Sequence, residues 1–299
     1  MNLLIFNCGS SSQSFKVYQA TSEDHCVMIA EGKAKNVATR TQSEPSLEWK
    51  IRADAGSKKA ELSTHRQAAR AIVELLLEHN VQIDGIGHRF VHGGETFKQT
   101  TRITPLTLEH LQRCFHLAPI HNPNSYSVIE VCNELLPGIP QFAVFDTAFH
   151  ASLPPEAVRY ALPRDLAEQF GFRKYGFHGL SYAYVSERSA DMLQKPLNEV
   201  KLILCHLGTG GSSVCAFAHG HSIETSMGYS PLAGLVMSTR SGDIDAEIIL
   251  ELQRSGMSAD EIDTLLNTTS GLIGLSHFSS NLEEVIAEGE KGNEDCRIA

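Results

Sequence analysis

One pattern occurs twice in this chain. The apolar run Leu3-Leu4-Ile5-Phe6 breaks at Asn7-Cys8-Gly9-Ser10-Ser11-Ser12 and resumes as the β-prone Phe15-Lys16-Val17-Tyr18. Far downstream, Lys201-Leu202-Ile203-Leu204-Cys205 breaks at His206-Leu207-Gly208-Thr209-Gly210-Gly211-Ser212 and resumes as Val214-Cys215-Ala216-Phe217-Ala218. Short apolar runs bounded by Gly and Ser read as strand, turn and strand. One such hairpin says little, because Gly-Ser turns join many strands. Two of them, with Gly9 and Gly208 at equivalent places, read as a duplicated domain with a phosphate-facing turn on each side.

The intervening sequence alternates between strand and helix periods. Residues 33–60 are mixed and polar and read as further strands with exposed loops. Thr64 reads as a helix N-cap, with Ala69, Ile72, Val73 and Leu76 on one face and Asn80 at the end. A strand over 86–91 stops at Gly93-Gly94, helical patterns follow at about 107–116 and 124–136, and Phe142-Ala143-Val144-Phe145 is a strand ending at Asp146. This alternation favours an α/β architecture. The Pro154-Pro155 step marks the boundary between a first domain, 1–150, and a second, 151–299. Ser258 with Glu261 forms a capping box for a helix over about 258–268, and an acidic helix begins near Leu282.

The 299 residues are 42% apolar, enough to bury cores without disulfides. Residues 1–149 hold 14 Lys+Arg against 15 Asp+Glu, and the remainder 11 against 20, for a net charge of −10. No broad positive field exists for a nucleic acid or an anionic membrane, so neither is expected as a partner, and any bound anion must meet local charge. The seven Cys are odd in number and include no Cys-x-x-Cys pair, which reads as buried thiols in a reduced, cytoplasmic protein. No stretch approaches the length of a membrane span or a signal peptide.

Three nucleotide or metal motifs are missing: G-x-x-x-x-G-K-[ST], G-x-G-x-x-G after a strand, and His-Glu-x-x-His. What remains are polar residues at strand ends and in Gly-rich turns. Strand alternation places Arg89 with Val91, a cation beside a small apolar group that suits a short carboxylate; the alternative is an Arg paired with a structural carboxylate. His121 sits in a Pro-bounded turn, where a structural hydrogen bond is the commoner role. Asp146 ends a buried strand, which calls for a metal, a cation, a ligand or an N-cap function. His178 lies between glycines that allow close approach of a ligand, and Arg240 sits among small polar residues, either serving a ligand or braced by Asp243 or Asp245.

Read together, these segments resemble one family. Asn7-x-Gly9-Ser10-Ser11-Ser12, His88-Arg89-x-Val91-His92-Gly93-Gly94, Ala118-Pro119-x-His121-Asn122-Pro123 and Phe145-Asp146-Thr147-Ala148-Phe149-His150 look like its motifs. Tyr175-Gly176-Phe177-His178-Gly179, His206-Leu207-Gly208-x-Gly210, Thr225-Ser226-Met227-Gly228-x-Ser230-Pro231-Leu232 and Thr239-Arg240-Ser241-Gly242-Asp243-Ile244-Asp245 continue the series, in order, for the acetate kinases. The resemblance implies two duplicated ribonuclease H-like domains of the acetate and sugar kinase/Hsp70/actin type, with the active site between them. It implies a first domain for acetate and phosphate, a second for the nucleotide, and reversible phosphoryl transfer from ATP to acetate with Mg²⁺, giving acetyl phosphate and ADP. A homodimer is the implied assembly. Arg89 would grip acetate or phosphate, and Val91, Ile120, Phe177 and Pro231 would surround the methyl group. Asp146, His178 and Arg240 would be catalytic, Asn7 would lie at the metal, and His206, Leu207, Gly208, Thr209 and Gly210 would contact ATP. Lys16, Asn281 and Glu283 occupy further ATP-contact positions.

Some positions depart from the family pattern. The family Lys lies two residues after the serine triplet, whereas here Ser14 stands there and Lys16 is one pleat further on. Thr209 replaces Asn, Ala233 replaces Glu, Ala246 replaces Pro, and Asn281 and Glu283 stand where Asp and Arg are usual. Glu283 inverts local charge, and the second domain reads as incomplete beside family members. Asn281, Glu283 and the early end favour, as an alternative, a catalytically impaired nucleotide-binding or dimerising remnant, and Val91 beside Arg89, which favours a small acyl group, leaves propionate as a second acceptor to test. An ATP-driven switch would share the fold but not the motif series.

Overall fold

The structure is a computed structural model that describes residues 1–22, 25–38, 44–208 and 210–299. It divides into two compact units, Met1–Ala148 and Phe149–Ala299. Thr209, expected at the ATP phosphates, lies outside the described residues.

In the first unit, β1 (Asn2–Cys8), β2 (Ser12–Ser22), β3 (His25–Lys35), β4 (Ser46–Ile51), β5 (Asp54–Lys59), β6 (Gly85–Phe90), β7 (Thr101–Arg102) and β8 (Gln141–Phe145) form one sheet, in the order β5-β4-β3-β2-β1-β6-β8-β7. β1 pairs antiparallel with β2 and parallel with β6, which is itself parallel to β8. β1 is therefore central, and its alternation buries Leu4, Phe6 and Cys8 on one face. Helices α1 (His65–Glu78), α2 (Pro105–Arg113) and α3 (Asn122–Leu135) complete the unit. Ala69, Ile72, Val73 and Leu76 of α1, and Val128 and Val131 of α3, join Leu4, Phe6, Phe15 and Val17 in one core. Each large apolar side chain buried there contributes about 1.5–3 kcal/mol. Thr64 does cap α1, and Gln67 completes a capping box with it. The strand expected over 86–91 ends at Phe90, and Val91, His92 and Gly93 are all buried. Strand parity therefore does not extend to Val91.

The second unit opens with α4 (Pro155–Val158), α5 (Arg164–Phe170) and α6 (Gly179–Leu193). β9 (Lys201–Gly208), β10 (Gly211–Ala218) and β11 (His221–Thr225) then form an antiparallel sheet in the order β11-β10-β9. The β9–β10 hairpin repeats β1–β2 around a Gly-rich turn, yet among the described residues this sheet has three strands against eight in the first unit. Helices α7 (Ala246–Arg254), α8 (Ala259–Thr264), α9 (Gly271–Ser276), α10 (Leu282–Glu290) and α11 (Glu294–Ile298) follow, with one π-helical segment at Leu265–Thr269. Tyr182 and Ala190 of α6 pack on Leu204, Cys215 and Phe217 of the hairpin. The seven cysteines are free, but Cys26 and Cys205 are exposed. For Cys205 the reason is alternation on β9, where Leu204 takes the inner face. No described helix is long and apolar enough to cross a membrane.

Candidate active site

Three of the expected residues converge in the first unit. Asn7 lies near the end of β1, Arg89 lies on β6 and Asp146 follows β8, so the parallel strands carry all three to the same end of the sheet. Arg89 Nε donates to Asp146 Oδ1 at 2.9 Å and Nη2 donates to Oδ2 at 2.5 Å, while Nη1 donates to Asn7 Oδ1 at 2.9 Å. The Arg89 side chain is 30% exposed and that of Asp146 only 3%. Burial pushes the Arg89 pKa down, but hydrogen bonding and attraction to Asp146 outweigh it, and the net direction is up. The two readings of Arg89 thus meet in one geometry. It pairs with a buried carboxylate, and that pairing holds the guanidinium plane while leaving two of its five N–H donors outside these bonds.

Nearby backbone is braced locally. Asn122 accepts from the N–H of His92 and donates to the carbonyls of His92 and Cys114, and the Thr147 hydroxyl accepts from the N–H of Gly93. Val91 is buried at 7% exposure, whereas Ile120 is 62% exposed. His121 precedes α3 as its N-cap residue. Lys16 is not brought to this cluster. It lies opposite Ile5 and Glu31, and Ser14 takes the position opposite Asn7.

A second group forms in the other unit. His178, at φ 62°, is the N-cap residue of α6, and its ring stacks on His206 with centroids 4.0 Å apart. A Cβ at Gly211 would lie 3.2 Å from Arg240 Nη1 and 3.5 Å from His178 Nε2, so glycine there lets both groups pack against the same point of the β10 backbone. Among the described residues no carboxylate pairs with Arg240. Its Nη1 donates to the Pro231 carbonyl oxygen at 3.5 Å, and burial pushes its pKa down. The expected braces are engaged elsewhere: Asp243 accepts from the N–H of Gly234, and Asp245 caps α7 through the N–H of Glu247.

Arg240 is held by its backbone instead. Thr239 O accepts from Ser270 N–H, Arg240 O from Met237 N–H, and Leu266 O from Ser241 N–H, while the Thr239 hydroxyl donates to Asn267 O. Gly271, at φ +68°, packs where a Cβ would lie 2.1 Å from Met237 O, so no other residue fits that close approach.

The remaining candidates are less convergent. Phe177 is buried at 2% exposure, with its carbonyl accepting from His150 Nε2, whereas the Leu207 side chain is 73% exposed on the face of β9 away from His206. Gly208 ends β9, and Gly210 is exposed in the turn. Asn281 caps α10 by accepting from Glu283 N–H, and Glu283 is exposed in the first turn. Asn281→Ala is expected to cost about 1 kcal/mol of stability, read as a lower urea midpoint, with Asn281→Asp restoring it. Ser213 and Tyr182, which bond to one another and join the His178 ring, were not singled out in the sequence. The available signal was the four-residue spacing of His178 and Tyr182, one helical turn apart.

The acetokinase family profile matches residues 2–299. The chain belongs to the acetokinase family. An acetate kinase from Clostridium botulinum is 42% identical over 308 aligned positions, covering 100% of this chain and 76% of that relative. The solved acetate kinase from Entamoeba histolytica superposes with a TM-score of 0.88 at 39% identity, covering 100% of this chain and 74% of that one. A propionate kinase from Francisella tularensis gives 0.90 at 37% identity, covering 99% and 75%. The fold is that of the acetate kinases, and the two glycine-turn hairpins are its duplicated element.

Proposed function

We propose that the chain is an acetate kinase that transfers the γ-phosphoryl group of ATP reversibly to acetate. The observation that carries this reading is the whole-chain relationship to acetate kinases at 42% identity. Acetate is ionised at neutral pH, so the acceptor needs no general base, and the difficulty is to bring an anion to a polyanion. Positive charge and alignment answer that difficulty. Arg89, fixed by Asp146 and Asn7, offers its outward N–H donors to the carboxylate or phosphate. Arg240, with no carboxylate partner among the described residues, keeps its charge available for the equatorial oxygens of the transferring group, and His178 lies beside it at Gly211. Asp146 acts by orienting Arg89. Val91, Ile120, Phe177 and Pro231 are assigned to the methyl group, and the β9–β10 turn, from His206 through Thr209 to Gly210, to the ATP phosphates. Lys16, Asn281 and Glu283 are assigned to the periphery of the nucleotide.

Among the described residues no group of three or more His, Cys, Asp or Glu could hold a metal ion. Asn7 and Asp146 nonetheless offer the oxygen donors that Mg²⁺ prefers, and that ion commonly takes one or two protein oxygens with the rest from phosphate and water. These two residues would hold it, and it would neutralise charge on the nucleotide phosphates. We assign the protein to the cytoplasm, supported by its seven free cysteines, and to a homodimer on the family resemblance.

Incubation with ATP, Mg²⁺ and acetate, with acyl phosphate trapped as hydroxamate, is expected to give acetate-dependent product. Phosphate release without a carboxylate acceptor would point to an ATP-driven switch, and bound nucleotide without turnover to a non-catalytic remnant. The propionate kinase neighbour makes propionate the second acceptor to compare, and one methylene is worth about 1–3 kcal/mol in such a pocket.

A further inference from the structure

His178 Nδ1 lies 2.7 Å from Ser213 Oγ, and Ser213 Oγ lies 2.5 Å from Tyr182 Oη. Ser213 is fully buried and Tyr182 is 1% exposed, so these hydroxyls exchange no bonds with bulk water. Each hydroxyl has one proton to place, and two arrangements exist. If His178 Nδ1–H donates to Ser213 and Ser213 donates to Tyr182, the phenol proton is left to find another acceptor in a dry site. The backbone N–H of His206 approaches the same phenol oxygen as a donor. If instead Tyr182 donates to Ser213 and Ser213 donates to Nδ1, every proton has an acceptor.

We propose that Tyr182 and Ser213 are positioning residues that hold His178 with its proton on Nε2, presenting an N–H donor beside Arg240 at Gly211, where the transferring phosphoryl group binds. This rests on the reading of Arg240 and His178 as the phosphoryl site.

Two further features agree with the arrangement. Burial pushes the Tyr182 phenol up to about 12, so it remains a proton donor at neutral pH. The rings of His178 and His206 stack 4.0 Å apart, a spacing that disfavours two imidazolium charges. His206 Nδ1 is paired with Ser181 Oγ at 3.0 Å, which fixes the second ring from the same helix. Ser181 thus binds one histidine directly and Tyr182 reaches the other through Ser213, from adjacent positions on α6. Arg240 then supplies charge while a neutral His178 supplies direction.

The test is the ring ¹⁵N signature of His178 in the full chain, assigned by its loss in His178→Gln and recorded without turnover. Nδ1 is expected bare and Nε2 protonated. Tyr182→Phe is expected to mix the two tautomers and lower kcat about tenfold with KM unchanged, the equivalent of one hydrogen bond. Ser213→Ala is expected to do the same more strongly, and Ser213→Thr to restore both signals. Protonated Nδ1 in the wild type, or an unaltered tautomer in Ser213→Ala, would overturn the proposal. Full kcat in His178→Gln would overturn the phosphoryl reading on which it stands, and the nitrogen spectrum distinguishes that failure from failure of the hydrogen-bond chain.

Discussion

Arg240→Gln is expected to lower kcat by about 10³ while the melting temperature stays level or rises. The first half follows from the role proposed for the guanidinium. A fixed cation aimed at developing phosphoryl charge is worth on the order of 10²–10³ in rate, and more when it acts as an arginine finger. The second half follows from how Arg240 is held. It sits half-buried without a carboxylate, its pKa pushed down by burial, so the folded chain bears a desolvation cost that glutamine removes. Opposite signs for activity and stability mark a residue kept for function. Arg240→Lys is expected to restore little, because a compact ammonium lacks the planar fork. A parallel fall in both quantities would instead show that Arg240 braces the loop.

Arg89→Ala is expected to lower both. Removing the guanidinium leaves Asp146 as a carboxylate with 3% exposed side chain and no partner, and frees the Asn7 carbonyl oxygen. Breaking a fully buried pair costs about 3–5 kcal/mol; with Arg89 30% exposed and solvent-screened, about 2 kcal/mol is expected. The loss in kcat/KM for acetate is expected at about 10²–10³. Arg89→Ala combined with Asp146→Asn separates the effects: denaturation should recover most of the lost stability, and the hydroxamate assay none of the activity. Recovery of activity in the double variant would show that Arg89 serves only to neutralise Asp146.

What could be read from the sequence was local. The opening hairpin, the Thr64 cap, the Ser258 box and the strand ending at Asp146 depend on neighbours within a turn or a pleat, and all appear in the structure. The neighbours of β1 in the sheet could not be read, because β6 joins it across a long stretch of chain, where pairing depends on tertiary packing. Arg89 and Asp146 were each singled out for reasons of their own segment. Their mutual bond, 57 residues apart in sequence, has no local signature. Parity failed at Val91 because the strand ended one residue earlier, and the apolar context of Cys205 did not say which face of β9 it takes. Leu207 followed the motif, but alternation turned its side chain away from the histidines.

The two arginines are also held in place by different forces. Arg89 is aligned by opposite charge, whereas the Arg240 loop is tied to the π-helical segment and α9 by neutral amide bonds and by the close fit of Gly271. Dissolved ions screen long-range attraction between exposed charges but leave amide-to-carbonyl bonds nearly untouched. Added salt is therefore expected to weaken the capture of an anionic nucleotide without loosening the loop that holds Arg240. In this half of the molecule, the strength of attraction and the accuracy of aim are set by separate forces.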